Sequence, residues 1–206
     1  MVLRQKVGEV TQGAVVWLPG DFLSGAQQGR VNAKDGQLYV SGMYGWGCYG
    51  SEAGSFERVR YTGGPAHLPV AFAAHENGVL ITFSDPLDTS AADAKQHFAQ
   101  CWNYLYSAGY GSPEFSVQHP DTEGHDRLEI TAAHLLDGGR SLFLEIPLLT
   151  PCNQVHVHVT TTGQHYQDLY ITVHKLAPAF TQFPGYTARA KQYIVAEQSS
   201  TKAQAR

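Results

Sequence analysis

The chain has 206 residues, which is enough for one full domain and part of a second. Its net charge of −4 argues against general nucleic-acid binding, because that function requires a clustered basic surface. The sequence lacks an apolar run of about 18 residues and an apolar segment near its start, so neither a membrane-spanning helix nor a signal peptide is expected in it.

The first part of the chain, residues 1–64, predicts a small sheet with loops rich in glycine. Short apolar runs occur at 14–18, 37–41 and 56–62, and Asp35-Gly36 is a tight-turn signal that opens the second of them. Three strands joined by such loops cannot bury both of their faces alone. We therefore expect residues 1–64 to form a partial β-propeller blade.

Residues 65–177 predict a β-sandwich of the immunoglobulin-like (Ig-like) type. Seven segments of alternating apolar and polar residues are separated by turn signals, at 69–74, 79–84, 98–107, 128–135, 141–147, 155–162 and 169–176. Asn77-Gly78 predicts the hairpin between the first two. The expected fold class is all-β. Residues 178–206 are expected to form a tail that is partly disordered, because its end is polar and small.

Two segments between the predicted strands have other expectations. Residues 91–98 predict a helix of one or two turns with Ser90 as its N-cap. Residues 109–126 predict a long loop, whose polar cluster contains Asp121, Glu123, His125 and Asp126. The cluster is consistent with a solvated loop or with a site for a cation or for acid–base chemistry.

Aromatic residues suggest a surface that contacts carbohydrate. The period of two along a strand would place Trp102, Tyr104 and Tyr106 on one face, with Tyr110 nearby. If this face points outward, then Tyr104, Tyr106 and Tyr110 are the candidate sugar contacts, and Trp46 is a further one. The alternative is that Trp102 is the core tryptophan of the sandwich and the tyrosines line the same sheet.

Histidines suggest a possible metal site. His156 and His158 alternate with valines, so both imidazoles face one side of a strand, and His174 is placed on the final strand with the same outward sense. Imidazoles on adjacent strands can chelate Zn or Cu. The alternative is a solvated face of an antiparallel sheet.

Cysteine spacing and the absence of catalytic motifs limit the chemistry further. Cys48, Cys101 and Cys152 form neither CxxC nor CxxCH, which excludes c-type haem attachment within the chain. A Cys101–Cys152 bridge and buried free thiols both remain open. No serine lies in a G-x-S-x-G context, and the glycine-rich run has no phosphate-binding motif. We therefore predict no catalytic residue and no cofactor site in this chain.

Several longer motifs carry a family resemblance. The first is Asp35-Gly36-Gln37-Leu38-Tyr39-Val40-Ser41-Gly42, followed by Gly45-Trp46 and by Phe56-Glu57-Arg58-Val59-Arg60-Tyr61-Thr62-Gly63. This pattern resembles the last blade of a glucose/sorbosone dehydrogenase-like β-propeller. The continuation, with His67-Leu68-Pro69-Val70 and Leu80-Ile81-Thr82-Phe83-Ser84-Asp85-Pro86-Leu87-Asp88, resembles the haem-domain-associated multidomain proteins of planctomycete-type bacteria.

The resemblance implies that the chain is the C-terminal accessory region of a secreted sugar or alcohol dehydrogenase-like protein. Its role would be non-catalytic, capping the propeller or docking to another domain. It also implies partners, namely the missing propeller blades or a haem domain, and a periplasmic or extracellular location for the parent protein. A quinone, calcium and c-type haem would be bound in other parts of that protein. The two alternatives are a carbohydrate-binding β-sandwich and a small Cu or Zn protein that uses His156, His158 and His174.

Overall fold

A computed structural model describes residues 1–18, 20–45, 50–106, 108–163 and 165–196. Their regular structure is all-β apart from short 3-10 turns, so the predicted fold class is confirmed at this level. Among these residues no helix is long and apolar enough to cross a bilayer. The chain divides into two compact units, one made of Met1–Trp17 with His67–Arg206 and the other of Leu18–Ala66.

Fourteen strands are present in the described part of the chain. They are β1 (Val2–Val7), β2 (Val10–Val16), β3 (Ala26–Val31), β4 (Leu38–Met43), β5 (Gly54–Val59), β6 (Pro69–His75), β7 (Gly78–Phe83), β8 (Phe98–Tyr104), β9 (Glu114–Phe115), β10 (Asp126–Leu128), β11 (Ala132–Leu136), β12 (Ser141–Glu145), β13 (Cys152–Thr162) and β14 (His165–Val173).

The larger sheet of the first unit has seven strands, in the order β1-β2-β14-β13-β8-β10, with β9 paired to β8. Along β13, Val155, Val157 and Val159 are fully buried, whereas the residues between them are partly exposed. Successive side chains of a strand point to opposite faces. The valines therefore form the inner face of the sheet, and His156 and His158 lie on its outer face.

The smaller sheet of the same unit has four strands, in the order β11-β12-β7-β6. Ile81 of β7 and Leu142 and Leu144 of β12 are fully buried. They belong to one hydrophobic cluster with Leu169 and Ile171 of β14 in the larger sheet. Two antiparallel sheets thus share a single core between their inner faces, which is a β-sandwich-like arrangement.

The N-terminal hairpin belongs to this sandwich and not to the unit that follows it. Strand β2 pairs with β14, and the register joins Ala14 to Ile171 and Val16 to Leu169. Ala14 and Val16 belong to the core cluster. Residues 1–64 are therefore not one unit, because Met1–Trp17 belongs with the sandwich. The predicted end of this segment nevertheless lies within two residues of the division between Ala66 and His67.

The second unit contains the third sheet, which has the order β3-β4-β5. It includes the predicted runs at 37–41 and 56–62, which appear as β4 and β5, and it adds β3, which was not predicted from the sequence. All six residues of β3 are exposed, so this strand lacks the apolar alternation that makes a strand recognisable.

Six of the seven predicted sandwich segments each correspond to one strand, whereas the fourth covers two. The segment at 128–135 contains β10, which pairs with β8 in the larger sheet, and β11, which pairs with β12 in the smaller one. The chain crosses between the sheets over residues 129–131. The predicted helix at 91–98 is also wrong, because two 3-10 turns, Thr89–Ala92 and Ala94–Gln96, precede β8 there.

The described part of the C-terminal segment, residues 178–196, packs against the sandwich. The Asn77 side chain donates to the backbone carbonyl of Phe180 and accepts from its N–H, both at 2.8 Å. Phe183 is buried and stacks on Phe143 with ring centroids 5.1 Å apart. The described part of the predicted tail therefore contacts the sandwich, although it contains no helix or strand. The rest of the predicted tail, 197–206, is outside the described residues.

Candidate functional site

The third sheet presents one side on which polar and aromatic side chains are collected. The register pairs Arg30 of β3 with Tyr39 of β4, and Tyr39 with Arg58 of β5. Directly paired residues of neighbouring strands place their side chains on the same face. The next pairs along the strands add three more residues to that face. The six residues, which we call the β3–β5 face, are Gln28, Arg30, Tyr39, Ser41, Phe56 and Arg58.

The turn between β3 and β4 holds this face in register. Gly36 has a φ of 67°, in the left-handed region that glycine adopts without strain, and its N–H donates to the carbonyl of Asn32 at 2.8 Å. The Asp35 carboxylate accepts from the N–H of Gln37 at 3.0 Å. The turn predicted at Asp35-Gly36 is therefore present, and the Asp35 carboxylate binds the backbone directly before β4.

An aromatic pair forms the centre of the β3–β5 face. The rings of Tyr39 and Phe56 are stacked, with centroids 5.6 Å apart and an interplanar angle of 21°. Phe56 is nevertheless 74% exposed, so the outer surface of this pair is open to solvent. A cleft of about 420 Å³ lies beside the rings, and it is lined by Gln28, Gly29, Arg30, Asn32, Tyr39, Ser41 and Phe56.

Tyr39 is fixed in orientation by the turn. Its hydroxyl donates to Asp35 Oδ2 at 2.8 Å. The hydrogen bonds from the Gln37 N–H and, next in size, from the Tyr39 hydroxyl lower the pKa of the Asp35 carboxyl. Asp35 therefore stays ionised as the acceptor of this hydrogen bond, and the phenol ring of Tyr39 keeps its place beside Phe56.

The opposite side of the same sheet contacts other residues of its own unit. Val40 is buried, and one oxygen of Glu57 accepts from the N–H of Leu23 at 2.9 Å and from the Ser55 hydroxyl at 2.6 Å. The β3–β5 face, by contrast, has amide, hydroxyl and guanidinium groups around two stacked rings. Such a surface can stack on a flat ligand and hydrogen-bond to its edges.

The predicted metal-binding histidines are only partly brought together. His156 Nε2 and His158 Nδ1 lie 2.7 Å and 2.9 Å from the same oxygen of Asp168, on the outer face of the larger sheet. His156 stacks on Tyr170 at 4.6 Å, and burial followed by the Asp168 charge raises the pKa of that tyrosine. The Asp168 carboxylate is thus a hydrogen-bonding partner of both imidazoles within the sheet.

His174, the third predicted ligand, lies elsewhere. It follows the end of β14, four residues beyond Tyr170, which is the cross-strand partner of His156. At about 3.3 Å per residue this is a separation of roughly 13 Å along the strand. Among the described residues, no group of three or more His, Cys, Asp or Glu side chains is arranged to hold a metal ion. The three histidines are therefore not brought together.

The predicted tyrosine contacts are divided between strand β8 and the residues that follow it. Tyr104 ends β8 and is 42% exposed, whereas Tyr106 and Tyr110 lie beyond the strand and are fully exposed. The period of two therefore stops applying after Tyr104. Trp46 is outside the described residues.

Trp102 is buried, but not in the core between the sheets. Ala99 and Cys101 of β8 belong to the core cluster, and Trp102 points to the other side of the strand. There the ring of His125 covers it, with centroids 4.1 Å apart and planes at 15°. His125 Nε2 is hydrogen-bonded to Glu114 Oε2. The interpretation of Trp102 as the core tryptophan is therefore wrong, because the long loop and not the second sheet buries it.

The polar cluster of the long loop is divided among separate structural roles. Asp126 accepts from the Ser116 hydroxyl at 2.7 Å and from the N–H groups of Val117 and Gln118. His125 lies on Trp102, as described above. These contacts anchor the loop to the larger sheet, and they do not assemble Asp126 and His125 into a catalytic pair.

Cys101 and Cys152 are buried free thiols in this structure. The hydrogen bond with the Cys152 thiol, and then burial, raise the pKa of Cys101. Of the two sequence-based alternatives, the structure thus shows free thiols. Cys48 is outside the described residues.

Comparisons with known proteins identify no relative of this chain. No protein-family model matches the sequence, and no curated protein and no solved structure matches it. The class that fold and site define is therefore an all-β protein that combines a β-sandwich-like unit with a small sheet bearing the β3–β5 face. Its resemblance to dehydrogenase-like propeller proteins stays a prediction from sequence motifs.

The β3–β5 face was not predicted from the sequence, although part of its signal was present. The alternation of Tyr39 with Ser41, and of Phe56 with Arg58, places each pair on one side of its strand. The missing part was β3, whose sequence Ala-Gln-Gln-Gly-Arg-Val has a glycine and few apolar residues. Without β3, Arg30 and Gln28 could not be assigned to the same face.

Proposed function

We propose that this chain is a non-catalytic accessory module that binds carbohydrate through the β3–β5 face. The observation that carries the proposal is the stacked pair of Tyr39 and Phe56, with Phe56 74% exposed beside a cleft of about 420 Å³. The C–H groups on one side of a sugar ring pack on aromatic rings, while its hydroxyls need hydrogen-bonding partners at the ring edge. Gln28, Asn32 and Ser41 supply such partners around the pair.

This proposal joins the two non-metal hypotheses from the sequence. Carbohydrate binding is a suitable role for an accessory region of a sugar-oxidising protein, since it would hold the parent protein near its substrate. The proposed parent is a periplasmic or extracellular dehydrogenase-like propeller protein, and the support for it is the motif resemblance alone. An in-frame extension upstream of Met1 with further DGxLYV-type repeats would support that parent, and a reading frame that starts at Met1 would contradict it.

We also propose the finer fold relationships, an Ig-like sandwich and a propeller-type blade. The antiparallel meander β3-β4-β5, in chain order and with one open face, supports a blade. The pairing of β2 with β14 weighs against a blade that simply follows the other blades in sequence, because the chain enters the sandwich first. A solved structure of the parent would test both relationships.

Affinity electrophoresis of the full chain on gels containing several polysaccharides tests the carbohydrate proposal. We expect retardation on at least one polymer, and we expect Phe56→Ala to weaken it roughly tenfold, since one aromatic contact is worth about 1.4 kcal/mol. Tyr110→Ala is the matched control, because it also removes an exposed ring, in the other unit. Absence of retardation on every polymer would contradict the proposal. If Tyr110→Ala loses retardation and Phe56→Ala does not, the carbohydrate binds near Tyr110 and not on the β3–β5 face.

A further inference from the structure

We propose that the β3–β5 face selects acidic polysaccharides, whose sugar rings carry carboxylates. This inference rests on the carbohydrate-binding function proposed above and names the class of ligand. Its basis is the position of two arginines, Arg30 and Arg58, which are the direct cross-strand neighbours of Tyr39 on its two sides. Both arginines are exposed.

The charges on this face favour a negative ligand. Arg30 and Arg58 give two positive charges, and Asp35 beside Tyr39 gives one negative charge, so these three residues sum to +1 in a chain whose net charge is −4. Asp35 is already engaged by Tyr39 and by the Gln37 N–H. Glu57, which lies between Phe56 and Arg58 in β5, points to the opposite side and is bonded there to Leu23.

The geometry suits a chain of uronate sugars. Arg30 and Arg58 are separated by one strand, so their backbones lie about 9.6 Å apart. A sugar ring stacked on Tyr39 and Phe56 would therefore lie between two guanidinium groups. A guanidinium binds a carboxylate through two parallel hydrogen bonds, which an ammonium group cannot do. The aromatic pair would hold the ring, and the arginines would distinguish a uronate from its neutral analogue.

A single-stranded nucleic acid is the competing ligand, because it also combines flat rings with negative charge. Binding of that type requires a basic groove that follows the backbone over several nucleotides. The net charge of −4 and the limitation of the positive charge on this face to two arginines favour the uronate.

The test compares polygalacturonate with carboxyl-reduced polygalacturonate, which has the same backbone without the charge. Binding of the full chain to both polymers is measured by titration calorimetry for wild type, Arg30→Gln, Arg58→Gln and the control Arg4→Gln, which alters an exposed arginine of β1 in the other unit. We expect wild type to bind the acidic polymer at least tenfold more tightly. Arg30→Gln and Arg58→Gln should each remove most of that preference, and Arg4→Gln should preserve it.

The outcomes separate this inference from the function on which it rests. Equal binding of the two polymers, or equal behaviour of all three arginine variants, would overturn the selectivity and leave carbohydrate binding intact. Tighter binding of poly(U) than of polygalacturonate would overturn it in favour of nucleic acid. Absence of binding to either polymer or to any neutral polysaccharide would overturn both proposals. Circular dichroism of each variant shows whether it is folded.

Discussion

The two units of this chain use β-strands in opposite ways. In the sandwich, Ile81, Leu144 and Val157 come from different strands and are all fully buried in one core. In the unit formed by Leu18–Ala66, Val40 is the buried apolar residue among those described, while Phe56 is 74% exposed. The same secondary structure thus makes a closed core in one unit and an open face in the other.

This difference shows where stability and binding are expected to reside. A fully buried side chain contributes through burial and packing, and its removal leaves a cavity. A large aromatic side chain on an open face contributes little to folding. Where it lies beside a second ring and a cleft, as Phe56 does, the surface is a candidate for binding a ligand. The sandwich is accordingly expected to act as the scaffold and the third sheet as the contact surface.

The largest expected effect is the difference in protease susceptibility between the units. We expect a low concentration of protease to cut within 18–66 at least roughly tenfold faster than elsewhere in the described chain, because cleavage follows local unfolding. Residues 2–16 should stay bound to the larger sheet after the cut, since β2 pairs with β14. Mass spectrometry of the nicked protein identifies the fragments. Release of the N-terminal hairpin, or equal cutting rates in both units, would contradict this comparison.

A pair of substitutions measures the same contrast in free energy. Leu144→Ala should lower the free energy of unfolding by roughly 2–5 kcal/mol, because the side chain is fully buried in the core cluster. Phe56→Ala removes a larger side chain but should change that free energy by only about 0.5 kcal/mol. Urea titration followed by circular dichroism gives both values. A larger loss for Phe56→Ala than for Leu144→Ala would show that the β3–β5 face is structural.

A smaller effect is expected where the C-terminal segment joins the sandwich. Asn77→Ala removes both hydrogen bonds to the backbone of Phe180 and should cost about 2 kcal/mol. It should also speed hydrogen exchange in the segment 178–186. Gln192→Ala, an exposed position in the same segment, is the control and should change the stability by less than about 0.5 kcal/mol. If Asn77→Ala behaves like this control, the segment does not contribute to the stability of the sandwich.

The smallest expected effect is a dependence on pH that is due to Lys191. Burial lowers its pKa from 10.5 to about 8, while its ammonium donates to the carbonyls of Pro147 and Leu149. Between about pH 8 and 10.5 the unfolded chain therefore binds more protons at this residue than the folded chain does. The contribution of Lys191 to stability should accordingly rise with pH across that window. Thermal unfolding of wild type and Lys191→Met at pH 7.5 and 9.5 tests this, and parallel changes in the two proteins would contradict it.

The sandwich strands could be predicted because each strand shows alternating apolar and polar residues and is bordered by turn residues. Val155, Val157 and Val159 alternate with polar residues, and Asn77-Gly78 marks the hairpin between β6 and β7. The split of 128–135 between two sheets was not predicted, because the segment was taken as one strand. Leu128 and Ile130 contact the core before the crossing and Ala133 and Leu135 after it, so the core-facing positions change from even to odd there.

The candidate site was less predictable than the fold. The pairing of His156 and His158 on one outer face followed from the period of two, but their shared partner Asp168 comes from the next strand. The β3–β5 face needed the register of three strands, one of which has no recognisable strand pattern. Side chains that meet across strands are placed by register, and register depends on pairing over long distances in the chain.

The sequence by itself determined the all-β class, the turns at Asp35-Gly36 and Asn77-Gly78, and which residues of each recognised strand share a face. These properties follow from local steric preferences and from the alternation of side chains. The tertiary structure alone decided that residues 2–16 complete the larger sheet, that a loop buries Trp102, and that Arg30, Tyr39 and Arg58 stand side by side. Each of these depends on pairing or packing between segments far apart in sequence, which no local pattern encodes.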